Sequence, residues 1–518
     1  MDEVCRWASE GFTTLCHGSK ACQALPILRL RQPLLPVPVR TSSVQDTSPM
    51  LLFQRKAGSH KAQAPSALPN KRGSTLGSAA YTGPDLRREF SALQGLVARL
   101  RLLPPRRWRR GEAGAMRLQT PQFQALFTPG LRSVAELFEK KNYELRIAGG
   151  AVRDLLSGMT PQDVDFATTA TPAEMKEMFT SAGVRLINNK GEKHGTITAR
   201  LHEQNFEITT LRIDVVTDGR HAEVEFTTDW EKDAERRDLT VNSMFLGLDG
   251  MLYDFFNGYE DLKNKKIRFV GKASARIQED YLRILRYFRF YGRIAEKPDD
   301  HEPTTLEAIK ENAKGLAGIS GERIWVELKK ILLGNHVNHL VRLLYELDVA
   351  QYIGLPLNGS LEELDRVTKN VQNLCPKPMT VLTSLFKVKD DVTNLDLRLK
   401  ISKEEKNLGL FLVKHRQELT KAVGPEPLRP YQDFIMDSRE ANTNSKIMEL
   451  LKYQGEEHLL KELQEWTVPS FPVSGHDLRK MGVSSGKEIG TALQQLREEW
   501  KKSGYHMDKE ELLSCLKK

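Results

Sequence analysis

Residues 145–168 read LRIAGGAVRDLLSGMTPQDVDFAT. An apolar run ending in Gly149-Gly150 predicts a strand that opens straight into a helix, a geometry in which backbone N–H groups and the helix dipole receive phosphate. Arg153, one turn in, adds a planar fork of donors. Asp163 and Asp165 are two residues apart on the next predicted strand, which places both carboxylates on one face about 6.6 Å apart. That spacing suits a pair of Mg²⁺ ions, which in two-metal sites lie about 3.5–4 Å apart, one beside an attacking hydroxyl and one beside a triphosphate and its leaving pyrophosphate. Hard oxygen ligands favour Mg²⁺ over zinc.

Each half of this pattern has a bland reading when it stands alone. A lone DxD is usually solvated surface, and GGxxRD is more often a packing turn than a phosphate site. Their adjacency changes that balance. No G-x-G-x-x-G follows a strand, so a dinucleotide fold is excluded. GVSSGKE at Gly482 has the wrong spacing for a P-loop and carries Glu488 where a hydroxyl residue is required. Neither HExxH nor GxSxG occurs, which leaves triphosphate and metal chemistry.

The surrounding composition is that of an ordinary globular chain, with 40% apolar and 28% charged residues over 518 positions. No apolar run approaches the roughly 18 residues of a membrane span. The net charge of +9 is unevenly placed, with 18 Lys+Arg against 7 Asp+Glu in residues 1–115 and 59 against 61 in the remainder. Basicity is therefore a property of the N-terminal stretch, and an RNA-binding surface downstream must be a local patch. Cys375 and Cys515 stand outside any CxxC spacing, which predicts a reducing compartment and no structural zinc.

Residues 1–115 are rich in Pro, Ser, Ala and Arg and predict a disordered basic extension. Within it, EFSALQGLVARLRLLPPRRWRR has the amphipathic basic character of an organelle-targeting helix. The alternative is an upstream extension, with the functional chain starting near Met116. From Leu131 the pattern becomes helix, strand, short helix, strand. A further helix follows, with Thr171 as N-cap, Pro172 at its first position and Glu174 completing a capping box. VRLINNKGEKHGTITARL and QNFEITTLR predict strands, whereas IDVVTDGRHAEVEFTTDWEKD reads as a long mobile loop. Beyond Ala234 the chain reads as mostly helical. The fold class is α+β, a small mixed-sheet head followed by an all-α remainder.

Three further motifs narrow the reading: AERRDLTVNSMF from Ala234, DFFNGYEDL from Asp254 and EDYLRILRYFRF from Glu279. GGAVRD followed by DVD resembles the catalytic head of the polymerase β-like nucleotidyltransferases. The three motifs, in this order, resemble the class II tRNA nucleotidyltransferases, the CCA-adding enzymes. The resemblance runs from about Leu118 to Lys518 and includes GHDLRKMGVSSGKEIGTALQQL, similar to that family's RNA-binding tail. It implies a catalytic head over 116–256, a neck over 257–335 that recognises the nucleotide base, a body over 336–430 and a tRNA-binding tail over 431–518. It also implies Mg²⁺-dependent addition of C, C and A to tRNA from CTP and ATP, with release of pyrophosphate. A mitochondrial location with cytosolic and nuclear pools follows from that role. Poly(A) polymerases resemble the same head and neck, and a non-catalytic RNA-binding scaffold is the reading from another class.

Protein-only choice of C and A has a simple chemical basis. Both bases carry an exocyclic amino donor beside an unprotonated ring nitrogen, whereas uracil and guanine present a carbonyl beside a ring N–H. A carboxylate and a guanidinium side by side suit the first pair and misalign with the second. In the run from Glu279, the periodicity puts Ile277, Tyr281, Ile284, Leu285, Phe288 and Tyr291 on one helical stripe and Asp280, Arg283 and Arg286 on another. The resemblance assigns base reading to Asp280 and Arg283. It assigns nucleotide holding to Arg237 and Arg286, with Arg289 a further candidate about half a turn round from Asp280. Pairing of Arg236 and Arg237 with Asp238 and nearby acids, rather than with phosphate, is the structural alternative. Glu207, on FEITT, is a candidate third carboxylate for the metal site.

Overall fold

A computed structural model describes residues 116–516 apart from 188, 218–221 and 439, so the extension expected over 1–115 lies outside the described residues. Among the described residues nine strands form: β1 Leu145–Ala148, β2 Asp165–Thr168, β3 Arg185–Ile187, β4 Thr196–Leu201, β5 Gln204–Thr210, β6 Arg212–Thr217, β7 Ala222–Phe226, β8 Phe245–Gly247 and β9 Leu252–Tyr253. Seven of them make one mixed sheet in the order β3-β4-β5-β2-β1-β8-β9. Its one parallel pair is β2 with β5. β1 is buried along its whole length, Arg146 included, as an interior strand between β2 and β8.

Alternation assigns the two faces. Ile147, Phe166 and Ile208 point into the large core shared with the helices. Ala148, Ala167 and Phe245 point to the other side, where they meet Trp230 and Leu211. On that second face Arg146 is clamped between Trp230 and Tyr253, its guanidinium carbon 3.9 and 3.5 Å from the two ring centroids. The expected capping box is present: Thr171 and Glu174 bond reciprocally and start the helix Pro172–Ser181.

Two expectations are corrected. The segment read as a long loop contains an antiparallel hairpin, β6 with β7, and the helix Trp230–Glu235. Its alternating apolar and acidic residues, IDVV and AEVEF, form a ribbon tied to the main sheet by Leu211 N–H donating to Thr168 O at 2.9 Å. The run from Glu279 is also not one helix. One helix ends at Glu279, the chain passes through an extended Asp280, and a second helix starts at Arg283, giving helices Ala273–Glu279 and Arg283–Ile294. Ile277, Ile284, Leu285, Phe288 and Tyr291 are nevertheless all buried, and Tyr281 packs against them partly exposed. The spacing of seven from Ile277 to Ile284 carries the stripe across the break.

Beyond Tyr253 the described residues form helices and turns. The main core runs without interruption from Leu118 to Leu463, so helices Arg429–Asp437, Thr443–Gln454 and Glu457–Glu465 belong to it. A separate core of Val473, Leu478, Ile489, Leu496, Trp500 and Leu512 closes the C-terminal end. No helix among the described residues is long and apolar enough to cross a membrane.

One buried cluster gives the fold an acid-sensitive joint. His301 stacks on Tyr291 with centroids 3.8 Å apart, faces His339 at 5.5 Å and shares a 2.8 Å hydrogen bond between its Nδ1 and the Tyr287 hydroxyl. Burial, aided by the neighbouring His339, pulls its pKa down to about 4, although Asp299 and Asp300 pull the other way. Its folded pKa lies below the unfolded value, so stability is fully present above about pH 6.5 and is lost as the pH falls toward 4. In thermal melts from pH 8 to pH 5, His301→Gln is expected to lose less stability than the parent. Parallel losses in the two proteins would show that His301 is not the titrating group.

Candidate active site

The sheet register assembles the site. Ala148, the last residue of β1, pairs with Asp165, the first of β2, and Asp165 pairs in turn with Glu207 on β5. Gly149 therefore follows directly at the sheet end where both carboxylates stand. Asp163 lies in the bend just before β2 rather than on the strand, and Asp163, Asp165 and Glu207 are all exposed. The three carboxylates feel one another. Partial burial and the Asp163 charge raise the Asp165 carboxyl above its ordinary value, with Arg237 opposing. Partial burial and the charges of Asp165 and Asp163 likewise raise Glu207. A concentration of anionic oxygen at one sheet end is what a hard divalent cation relieves.

The donor chemistry thus fits a divalent metal, which nucleotidyltransferases of this family typically use. Among the described residues no cluster of three or more His, Cys, Asp or Glu side chains is close enough to hold a metal ion by itself. Oxygens of the triphosphate would have to complete the ligand set.

Gly149 has φ +62° and ψ −120°, a region closed to residues with a side chain. A Cβ there would come within 3.0 Å of Arg237 Nη1. The glycine therefore permits both the turn into the helix Gly150–Leu156 and the approach of Arg237. Gly150 carries the first helical N–H.

Arg237 is fixed from behind. Its Nη2 lies 3.1 Å from Asp233 Oδ2, and Arg236 Nη2 lies 2.8 Å from Asp233 Oδ1. Asp233 is almost fully buried; burial alone would raise its carboxyl, and the two arginines more than reverse that, Arg237 foremost. Their partner is thus Asp233, one helical turn back, and not Asp238. Asp238 instead accepts from Arg286 Nε at 2.6 Å. Burial would raise Asp238 too, and Arg286 holds it low.

Arg153 departs from the expected fork. The residue is only 4% exposed. Nη1 donates to Asn242 Oδ1 at 2.5 Å, Nε and Nη2 donate to Asp154, and the ring of Phe290 lies 4.9 Å away. Burial pulls its pKa down to about 10. In this structure Arg153 braces the Gly149 turn against the helix Arg283–Ile294 instead of presenting open donors. Arg289 is similarly engaged, with Nη1 3.2 Å from both oxygens of Glu327.

The DFFNGYEDL motif supports the same region. Asp254 accepts from the N–H groups of Gly258 and Tyr259, each at 2.9 Å. Gly258 passes so near Thr240 that a Cβ would come within 2.1 Å of its carbonyl oxygen. Asp261 accepts from the Thr240 hydroxyl at 2.7 Å. These contacts fix the turn that carries Asn242. Sequence reading missed Asn242 and Asp233; the second was visible as an acid three and four residues before the two arginines on a short helix.

Asp280 and Arg283 flank the helix break. Asp280 Oδ1 accepts from Leu282 N–H at 3.1 Å, and Oδ2 accepts from Arg323 Nη2 at 2.7 Å. Arg283 donates to the carbonyls of Arg276 and Arg236 and to Glu279. The Arg236 contact joins the start of the helix Arg283–Ile294 directly to the segment that holds Arg237.

Fold and site together define a nucleotidyltransferase with a polymerase-type head. Residues 145–268 match the family model described as the poly A polymerase head domain, and residues 301–356 match that of the probable RNA and SrmB-binding site of polymerase A. The chain is 76% identical over 404 residues to the mitochondrial CCA tRNA nucleotidyltransferase 1 of Homo sapiens, covering 78% of this chain and 93% of that protein. Its identity to the Danio rerio protein of the same name is 70% over 402 residues, 77% and 93% of the two chains. The crystal structure of the Bacillus stearothermophilus CCA-adding enzyme in complex with CTP shares the fold, with a TM-score of 0.55 at 23% identity over 74% of this chain and 94% of that one. The chain belongs to the CCA tRNA nucleotidyltransferase family.

Proposed function

We propose that this chain adds C, C and A to the 3′ end of tRNA from CTP and ATP, without a nucleic-acid template, at the site built on Gly149, Asp163 and Asp165. The observation that carries this reading is the register that lines up Gly149, Asp165 and Glu207 at one sheet end, with Arg237 beside them. The relatives' names favour CCA addition over poly(A) synthesis, for which both family models are named.

In the reaction the terminal 3′ hydroxyl gives up its proton to solvent as its oxygen bonds to the α-phosphorus, the bond from that phosphorus to the bridging oxygen of the β-phosphate breaks, and pyrophosphate leaves with that oxygen. Asp163 and Asp165 would hold Mg²⁺, which when bound neutralises charge developing on the phosphoryl oxygens. Arg237 and the N–H groups that open the helix after Gly149 receive the phosphates. Asp280 accepts from the exocyclic amino group and Arg283 donates to the ring nitrogen. Arg286 and Arg289 stand behind them as held charges, and Arg153 keeps the phosphate turn in place.

The proposed organisation is a head to residue 256, a neck over 257–335, a body over 336–430 and a tail from 431; the strands, all within 145–253, and the separate C-terminal core support the two ends of that division. A mitochondrial pool is supported by the names of the vertebrate relatives, and cytosolic and nuclear pools are inferred from the presence of tRNA substrates there.

Chelation tests the metal requirement. With a tRNA lacking its last three nucleotides, EDTA is expected to stop addition and excess Mg²⁺ to restore it, while tRNA retention on filters is unchanged. Undiminished addition under EDTA would contradict the assignment of Asp163 and Asp165.

A further inference from the structure

Asp280 and Arg283 are opposite charges three residues apart on the two sides of the helix break, near enough along the chain to pair with each other. Mutual neutralisation would remove both from a bound base. The ion pairs found here run outward instead. Arg323, from helix Gly321–Leu332, takes Asp280, and Glu279, from the end of helix Ala273–Glu279, takes Arg283.

We propose that Arg323 and Glu279 are positioning residues for nucleotide choice, holding the two base-reading side chains apart and aimed outward. The proposal rests on Asp280 and Arg283 reading the base. The donor count supports it. Asp280 has one oxygen anchored by Leu282 N–H and the other by Arg323, and each carboxylate oxygen keeps a further lone pair for an amino group. Arg283 spends both Nη1 hydrogens on Glu279 and Arg276 O and one Nη2 hydrogen on Arg236 O. Its Nε–H and the second Nη2–H are left for a ring nitrogen. The four side chains are 12–32% exposed, so their charges are only partly screened by water.

The helix that supplies Arg323 repeats the device one turn on. Glu327, four residues later on the same face, holds Arg289. One helix thus carries a positive and a negative group spaced to take an acid and a base from the segment opposite.

The test is steady-state addition to tRNA lacking its terminal nucleotides, with each of the four triphosphates separately, for Arg323→Gln, Arg323→Lys and Glu279→Gln. Arg323→Gln is expected to lower kcat/KM for CTP and ATP about tenfold, mostly through KM, and to lower that for UTP and GTP less than about threefold. Its melting temperature should stay within about 2 °C of the parent. Arg323→Lys should recover part of the preference, because it restores the charge without the fork. Glu279→Gln should narrow the preference in the same direction. A CTP to UTP ratio within about twofold of the parent in both Arg323→Gln and Glu279→Gln overturns the proposal. If Arg323→Gln does not fold, the same ratio in Arg323→Lys and Glu279→Gln decides. The double variant Asp280→Ala with Arg283→Ala separates the two levels. If it keeps the original preference, base reading by this pair fails and the positioning role fails with it. If it equalises the nucleotides while the Arg323 and Glu279 variants do not, only the positioning role is overturned.

Discussion

Asp163→Ala and Asp165→Ala are each expected to reduce nucleotide addition by at least about 10²-fold while tRNA affinity changes less than about threefold. The asymmetry follows from where the charge develops. On the proposed reading, RNA docking is spread over many phosphate contacts, whereas the two aspartates would meet the reaction only at the phosphorus being transferred. Removing Asp163 also removes one of the charges that raise Asp165 and Glu207, so the remaining carboxylates ionise more readily and yet hold a cation with fewer oxygens. Single-turnover rates with prebound tRNA, beside filter binding of the same tRNA, separate the two effects. Retention of more than about a tenth of the parent rate by both variants would remove these residues from the metal site, since a tenfold loss is only about 1.4 kcal/mol.

The second large effect concerns choice among nucleotides. Asp280→Ala with Arg283→Ala removes both the attraction for C and A and the mismatch with U and G. Each unpaired or misaligned buried polar group costs about 1–3 kcal/mol, so efficiency with CTP and ATP should fall by about two orders of magnitude. UTP and GTP should lose much less, and the four nucleotides converge. A uniform loss with the preference intact would place the selecting groups elsewhere.

How much of this was legible depends on how local the cause is. Gly149, Asp163 and Asp165 were readable because a strand, a tight turn and two carboxylates occupy 24 residues, and the sheet register then brought Asp165 beside Gly149. The capping box at Thr171 and Glu174 was readable for the same reason. The hairpin β6–β7 was not, because its strands alternate apolar residues with acids and so look like a polar loop. The break at Asp280 was hidden by a stripe that keeps its phase across it. Arg153 was misjudged because what buries it is remote: Asn242 and Phe290 reach it only through the fold. Arg323 gave no local signal, since it meets Asp280 from 43 residues away.

The central claim is that the protein itself specifies the sequence C, C, A and then stops. It is tested most directly by incubating the chain with a tRNA lacking its three terminal nucleotides and all four triphosphates together, then sequencing the 3′ ends of the product. The account predicts that nearly every extended molecule ends in CCA with no further nucleotides, and that omitting ATP leaves products ending in CC. A ladder of A residues, or an end carrying all four nucleotides in proportion to their supply, would contradict it.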